Sequence, residues 1–362
     1  MDSRYLLIVA GEASGDLLGT ILVAEAKKLG WCSKGSGGER MAGAGLQCIV
    51  PFSDLQVSGF LDVIPRLWRL RKYLETLRRT LLHPNCMGLV CVDYPGFNLP
   101  LMQEAKRTDK PIYWVAPPQI WAWKPKRGRH FYGDEVAVFF SFEESSYQEC
   151  GARPIRVQHP LANIQAQSSS SPKDIWALFP GSRMGQAKRN GRAYQRMGEL
   201  LCRSQCGCSF VMVAPDAEVK LLFQRFLPEI EIRTTQEMED LWPRVRGCVC
   251  PPGTASLELA LRGVPTVVFT RVDWLTWVLG RIWLKPKFLA LPNLLLQKAW
   301  IQEVVECALP WGTTEKRLQV LADHLHRLSP DESIAQAEVL RGMLTGTSLE
   351  ANFIQFLRRL GG

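Results

Sequence analysis

Pro251-Pro252-Gly253-Thr254-Ala255-Ser256-Leu257-Glu258-Leu259-Ala260 stands between two short β-prone runs, Cys248-Val249-Cys250 before it and Pro265-Thr266-Val267-Val268-Phe269 after it. The order of strand, small-residue loop, helix as far as Gly263 and strand is that of one βαβ unit. Gly253 lets a backbone approach a ligand closely. Thr254, Ala255 and Ser256 leave the helix entrance unobstructed, with N–H groups suited to an anion. Glu258 falls about one turn inside. Its carboxylate repels a phosphate, but its two oxygens suit a pair of vicinal hydroxyls. A ribose carrying a phosphate satisfies both ends. An ordinary helix cap with a solvated Glu258 accounts for the same residues equally well.

The same rhythm extends in both directions. Ile175–Phe179 reads as a strand, and Pro180-Gly181-Ser182-Arg183 as its loop. There Gly181 opens the backbone, Ser182 donates, and Arg183 offers a planar fork to a phosphate or stands as a solvated turn residue. Phe210–Val213 is the next strand. At the start of the chain, Tyr5–Ala10 is a buried strand and Leu17–Leu29 a helix, joined by Gly11-Glu12-Ala13-Ser14-Gly15-Asp16. A Rossmann unit would hold pyrophosphate at that loop. Glu12 and Asp16 would repel it, so sugar hydroxyls or a substrate amide fit better, with a turn capped by Asp16 as the other reading. Gly88–Val92 is another buried strand and ends in Asp93, ahead of the loop Tyr94-Pro95-Gly96-Phe97-Asn98. An acid at the carboxyl end of a parallel strand sits where α/β sheets place their ligands.

Between these anchors, Gly35–Gly45 reads as a flexible glycine-rich loop. Val63, Leu67, Leu70, Leu74, Leu77 and Leu81 mark one face of a helix as far as Leu82. Arg66, Arg69, Arg71, Lys72, Arg78 and Arg79 flank it, so it suits an anionic bilayer or the core equally. Tyr113–Ala116 is a strand running into Pro117-Pro118-Gln119-Ile120-Trp121-Ala122-Trp123 and a cluster of cations. Glu135–Phe140 is a strand and Glu143–Cys150 a helix. His159-Pro160-Leu161 and the serine run Ser168–Ser171 read as a linker, with His159 structural. Trp274, Trp277, Trp283 and Trp300 then alternate with Arg271, Arg281, Lys285 and Lys287, and Asn293 is the polar side chain within Leu291–Leu295.

The chain has 362 residues, 46% of them hydrophobic and 22% charged, which favours two globular domains over disorder. A net charge of +9 points to anionic partners. Nucleic acid is disfavoured, because no RNP, helix-turn-helix or finger pattern occurs. The 11 cysteines form no CxxC pair, so buried small hydrophobes are expected and no metal. The odd count and the lack of a leader-like start point to a reducing compartment. No apolar run reaches the length of a membrane span.

Seven motifs in register resemble the lipid-A-disaccharide synthases of Gram-negative bacteria. They are Val9–Asp16, Asp93–Asn98, Gln119–Trp123, His159–Ala162, Pro180–Arg183, Gly253–Glu258 and Leu291–Leu295. The chain departs from the family pattern at Pro117, Gln158, Gln186 and Pro251-Pro252. The resemblance implies a GT-B fold, α/β, with two facing Rossmann-like domains of parallel sheet. Residues 1–165 would form the acceptor and membrane-facing domain, with the helix 346–362 as a candidate addition, and 172–345 the UDP-sugar domain. The implied reaction joins UDP-2,3-diacylglucosamine to 2,3-diacylglucosamine 1-phosphate (lipid X) with inversion, making a β-1,6 linkage and releasing UDP, without cofactor or metal. By position, Asp93 is the candidate base, with Asp16 and Glu12 as alternatives. Gly181, Ser182, Arg183, Gly253, Thr254, Ala255, Ser256, Glu258 and Asn293 would hold the UDP-sugar. Ser14, Asn98, Gln119 and Trp121 would line the acceptor side. Peripheral attachment at the cytoplasmic face of the inner membrane is expected, and a second copy of the chain is a candidate partner. Competing readings are another GT-B enzyme (an N-acetylglucosaminyl transferase or a UDP-sugar epimerase) and a membrane-associated binding protein without catalysis.

Overall fold

The computed structural model describes residues 4–55, 67–122, 125–166, 173–182, 184–203, 207–283, 286–308 and 315–361. The chain divides into two compact units, Met1–Pro160 together with Leu344–Gly362, and Leu161–Met343.

The first unit runs β1 (Tyr5–Val9), α1 (Ala13–Lys28), β2 (Cys32–Ser36), α2 (Glu39–Ala44), β3 (Leu46–Cys48), α3 (Leu67–Leu82), β4 (Cys86–Val92), α4 (Pro95–Arg107), β5 (Ile112–Val115), β6 (Glu135–Val138), α5 (Ser141–Glu149) and β7 (Arg153–Arg156). Its seven strands lie in the order β3-β2-β1-β4-β5-β6-β7, all neighbours parallel. Every residue of β1 is buried, as the continuous apolar run Tyr-Leu-Leu-Ile-Val demands of a strand covered on both faces.

The second unit repeats the plan with β8 (Ile175–Leu178), α6 (Met184–Arg203), β9 (Ser209–Ala214), α7 (Ala217–Phe226), β10 (Ile232–Thr234), β11 (Val245–Cys250), α8 (Thr254–Leu261), β12 (Thr266–Val272), α9 (Trp274–Trp283), α10 (Leu291–Leu296), β13 (Glu303–Cys307), α11 (Glu315–Arg327) and α12 (Pro330–Met343). Its six strands lie in the order β10-β9-β8-β11-β12-β13, again all parallel. The closing helix α13 (Leu349–Gly361) belongs to the first unit. There Phe353 and Phe356 pack on the Tyr113 ring, and the Tyr113 hydroxyl donates to Asn352 Oδ1 at 2.6 Å.

In both sheets the order reverses once, between β1 and β4 and between β8 and β11. Ligands of doubly wound sheets bind outside the carboxyl ends of the strands at such a switch. The loops that follow these four strands are the Gly11, Asp93, Gly181 and Gly253 loops.

Three expectations change or narrow. Gly35–Gly45 is not a flexible loop but holds the end of β2 and all of α2. A Cβ at Gly35, φ +152°, would fall 1.8 Å from the Ile8 carbonyl oxygen, so the glycine serves close strand approach rather than mobility. The basic helix is described only from Leu67. Its later half is core, with Leu77 and Leu81 buried, while Leu67 and Trp68 in its first turn are exposed. The serine run lies outside the described residues, and His159 is buried against the rings of Phe139 and Phe140, its pKa pushed down to about 4 by burial.

Candidate functional site

At the first switch point, β4 delivers Asp93 at its carboxyl end in the left-handed region, φ +48°, and Tyr94 follows at φ +48°. Two successive non-glycine residues in that region store strain of about 1–3 kcal/mol each, which the surroundings must hold in place. Asp93 N–H donates to the Val115 carbonyl at 3.0 Å. Asn98, fully buried on α4, donates from Nδ2 to the carbonyls of Asp93 at 2.7 Å and Val9 at 3.2 Å. Tyr94 stacks on Phe97 and donates its hydroxyl to Leu55. Its ring also lies 2.4 Å from where a Cβ on Gly11 would be, so only glycine fits in the facing loop. Burial pushes the Tyr94 hydroxyl up to about 12, and the nearby Glu12 carboxylate adds to the rise. The structure thus brings the Glu12 and Asp93 loops together. The Asp93 side chain is half-buried, with its backbone pinned on both sides.

Two residues assigned here by sequence have structural work instead. Asp16 is buried, and its carboxylate accepts the N–H groups of Gly38 at 2.7 Å, Met41 at 3.1 Å and Arg40 at 3.3 Å. It caps the start of α2, a role that argues against Asp16 as the base. Asn98 holds the Asp93 loop and exposes no surface. Ser14 and Gln119 are exposed, while Trp121 is half-buried with its ring edge-on to Phe142 at 4.7 Å. Trp123 lies outside the described residues.

The sequence reading missed Glu143. It is buried on the first turn of α5, where Oε2 accepts the N–H groups of Phe139 at 3.1 Å and Phe140 at 3.2 Å. Burial pushes its carboxyl up to about 7; the two N–H groups pull it down, and the Asp93 charge adds to the rise. A second carboxyl group therefore stands within electrostatic reach of Asp93. Nothing in the pair Glu143-Glu144 distinguishes the buried acid from the solvated one before packing is known.

At the second switch point, Gly253 takes φ +133° as the residue before α8 and brings no side chain to cap it. The Ser256 N–H donates to the Gly253 carbonyl at 3.2 Å, while the first N–H groups of the helix, those of Thr254 and Ala255, have no carbonyl of the preceding turn to reach. Thr254 is exposed and Ala255 half-buried, as an anion site requires. Ser256 is not available to a ligand: it is buried, and its hydroxyl donates to the Gly253 carbonyl at 2.7 Å. Glu258 is half-buried and paired with Arg262 at 3.1 Å. In the β8 loop, Gly181 takes φ +138° with the Gln186 side chain against it, and Ser182 is exposed. Arg183 lies outside the described residues. Asn190, buried on α6, ties this loop to β12: Nδ2 donates to the Pro180 carbonyl at 2.6 Å, and Oδ1 accepts Arg271 N–H at 2.8 Å. The sole sequence signal for it is a polar residue within the buried stripe Ala187, Asn190, Gly191, Tyr194.

Asn293 also changes role. Its Nδ2 donates to Ile301 O at 2.7 Å and Glu303 Oε1 at 2.6 Å, and its Oδ1 accepts Trp300 N–H at 3.0 Å and Ile301 N–H at 2.8 Å. Both donors and both acceptor sites of the amide are engaged, so Asn293 organises its loop rather than offering a polar group to UDP. Glu303 completes the arrangement by accepting Leu289 N–H at 2.7 Å and Ala290 N–H at 3.1 Å. Among the described residues, no three His, Cys, Asp or Glu side chains are grouped to hold a metal ion.

Comparison with known proteins gives this arrangement a setting. A solved calicheamicin glycosyltransferase, CalG4, superposes with a TM-score of 0.57 at 14% identity, over 99% of this chain and 98% of that one. A Staphylococcus aureus MnaA structure with UDP gives 0.58 at 10% identity, over 99% and 97%. These likenesses establish the GT-B fold. The lipid-A-disaccharide synthase of Coxiella burnetii (strain Dugway 5J108-111) is 31% identical over 346 residues, 91% of this chain and 92% of that protein. That of Syntrophus aciditrophicus is 30% identical over 329 residues, 85% of each chain. The profile of the lipid-A-disaccharide synthetase family matches residues 6–337, and the chain belongs to that family.

Proposed function

We propose that the chain is a glycosyltransferase that moves 2,3-diacylglucosamine from UDP to the 6-hydroxyl of 2,3-diacylglucosamine 1-phosphate. Asp93 accepts the hydroxyl proton as the new C–O bond forms. The bond from the anomeric carbon to the diphosphate breaks on the opposite face, so configuration inverts and UDP leaves. Arg183 and the N–H groups at the start of α8 stabilise the charge that develops on the diphosphate. Glu258 accepts the ribose hydroxyls. The observation that carries this reading is Asp93 itself, a half-exposed carboxylate held in a strained backbone at a switch point, in a chain of this family.

The same proposal includes peripheral attachment to an anionic membrane surface. Leu67 and Trp68 are 48% and 66% exposed beside the exposed Arg69, Arg71 and Lys72. Among the described residues, no helix is long and apolar enough to cross a membrane.

The test is UDP release from the diacylated donor with and without the acceptor. Release that requires the acceptor supports transfer. Turnover of the donor alone would favour an epimerase, and no release under either condition would leave a binding protein.

A further inference from the structure

The second unit contains a cavity of about 1270 Å³ beside the α8 loop, larger than the roughly 300–1,000 Å³ of a site for a drug-sized ligand. A nucleotide sugar is about drug-sized, so this space exceeds what that ligand needs. Apolar walls come from Trp277 and Gly280 of α9, Val272 of β12, Val305 of β13, and Phe288 and Leu289. Pro252 and Thr270 also line it, and these stand next to Gly253 and against Asn190, in the donor loops.

The polar groups on these walls are largely spent. Asn293 and the Glu303 carboxylate bond to each other and to backbone, and the Thr270 hydroxyl accepts from Gln186 and Asn190. Arg281 lies over the Trp277 ring at 4.6 Å and Lys287 over Phe288 at 5.5 Å, so their stems extend the apolar surface and their charges end it. Gln302 also lines the cavity, and among the described residues its buried Oε1 has no hydrogen-bond partner. At another wall the buried Glu306 pairs with Arg317 at 3.3 Å, and the buried His324 Nε2 is likewise without a partner among the described residues. The apolar walls hold a chain by burial and dispersion, the Gln302 oxygen is an acceptor matched to an amide N–H, and Glu306, Arg317 and His324 form a polar end.

We propose that this cavity is a subsite for the fatty acyl chains of the donor, the Gln302 oxygen accepting the N–H of the amide that joins a chain to the sugar. The proposal rests on the donor reading given above. The experiment measures dissociation constants of the full chain for UDP, for a UDP-glucosamine bearing two long acyl chains and for its diacetyl counterpart, at one fixed detergent concentration. Each buried methylene strengthens binding about fourfold. The long-chain donor should therefore bind at least about tenfold more tightly than the diacetyl donor. Gly280→Phe and Val305→Trp, which fill the cavity from different walls, should erase that advantage and leave UDP within about twofold of wild type, which also reports an intact fold. Equal affinity of the two donors for wild type would overturn the subsite. So would filled variants that still prefer the long-chain donor, or that change self-association instead of donor affinity. Failure of wild type to bind UDP at all would overturn the donor reading, and the subsite with it.

Discussion

Asp93 is the residue on which the proposed chemistry turns, and the side chains around it show what sequence alone could disclose. Its place was legible because an acid after a run of buried residues marks the end of a parallel strand. Glu143 was not, because its burial and its hydrogen bonds to the Phe139 and Phe140 N–H groups arise only when the start of α5 packs on folding. Glu143 predicts a pH dependence. A carboxyl whose folded pKa is raised binds its proton more tightly in the native than in the unfolded state. Its contribution is complete below the ordinary value of 4.5 and is lost as pH rises through about 7. Thermal unfolding across that window should show wild type losing stability relative to Glu143→Gln, by on the order of 3 kcal/mol. Parallel curves for the two proteins would mean that Glu143 folds in its charged form. Asn293 gives a second residue-level prediction. Asn293→Ala leaves the buried Ile301 N–H without its partner, while the Trp300 N–H keeps the Lys298 carbonyl, and should cost about 1–3 kcal/mol in denaturant unfolding. Normal stability with UDP binding abolished would return Asn293 to the ligand.

At the scale of elements, alternation between apolar runs and small-residue loops was enough to find β1, β4, β8 and β11 and the loops that follow them. It misplaced Gly35–Gly45, since glycine marks both mobile turns and strands that approach closely, and only the 1.8 Å distance to Ile8 separates the two. The two readings of α3 divide along the helix. Leu77 and Leu81 enter the core, whereas Leu67 and Trp68 remain exposed beside basic side chains. Under the proposed membrane attachment, the first turn is the part that meets the bilayer. Sedimentation with anionic vesicles should recover the protein in the pellet at low salt and release it near 1 M, where charges are screened beyond about 3 Å. The pair Leu67→Ser and Trp68→Ser should weaken recovery even at low salt. Recovery that ignores both salt and these substitutions would place the contact elsewhere.

At the scale of the molecule, the proposed reaction draws on both switch points: the first unit's carries the held Asp93 carboxylate, and the second's the glycine-led start of α8 with Glu258 one turn inside it. Repetition of one strand order in both units explains why a short motif such as Gly253–Glu258 could disclose the fold class, while the cavity stayed hidden in residues scattered from Pro252 to His324. In the proposed reaction the first unit contributes the base and the second binds UDP. Asp93→Asn keeps the size and hydrogen bonding of the side chain but cannot take a proton. With UDP affinity and UDP release measured on the same preparation, this variant should bind UDP as wild type does and transfer sugar at under about a hundredth of the wild-type rate, within the roughly 10²–10⁴-fold typical of a lost general base. Near-normal transfer by Asp93→Asn would contradict the account and leave Asp93 a structural end to β4.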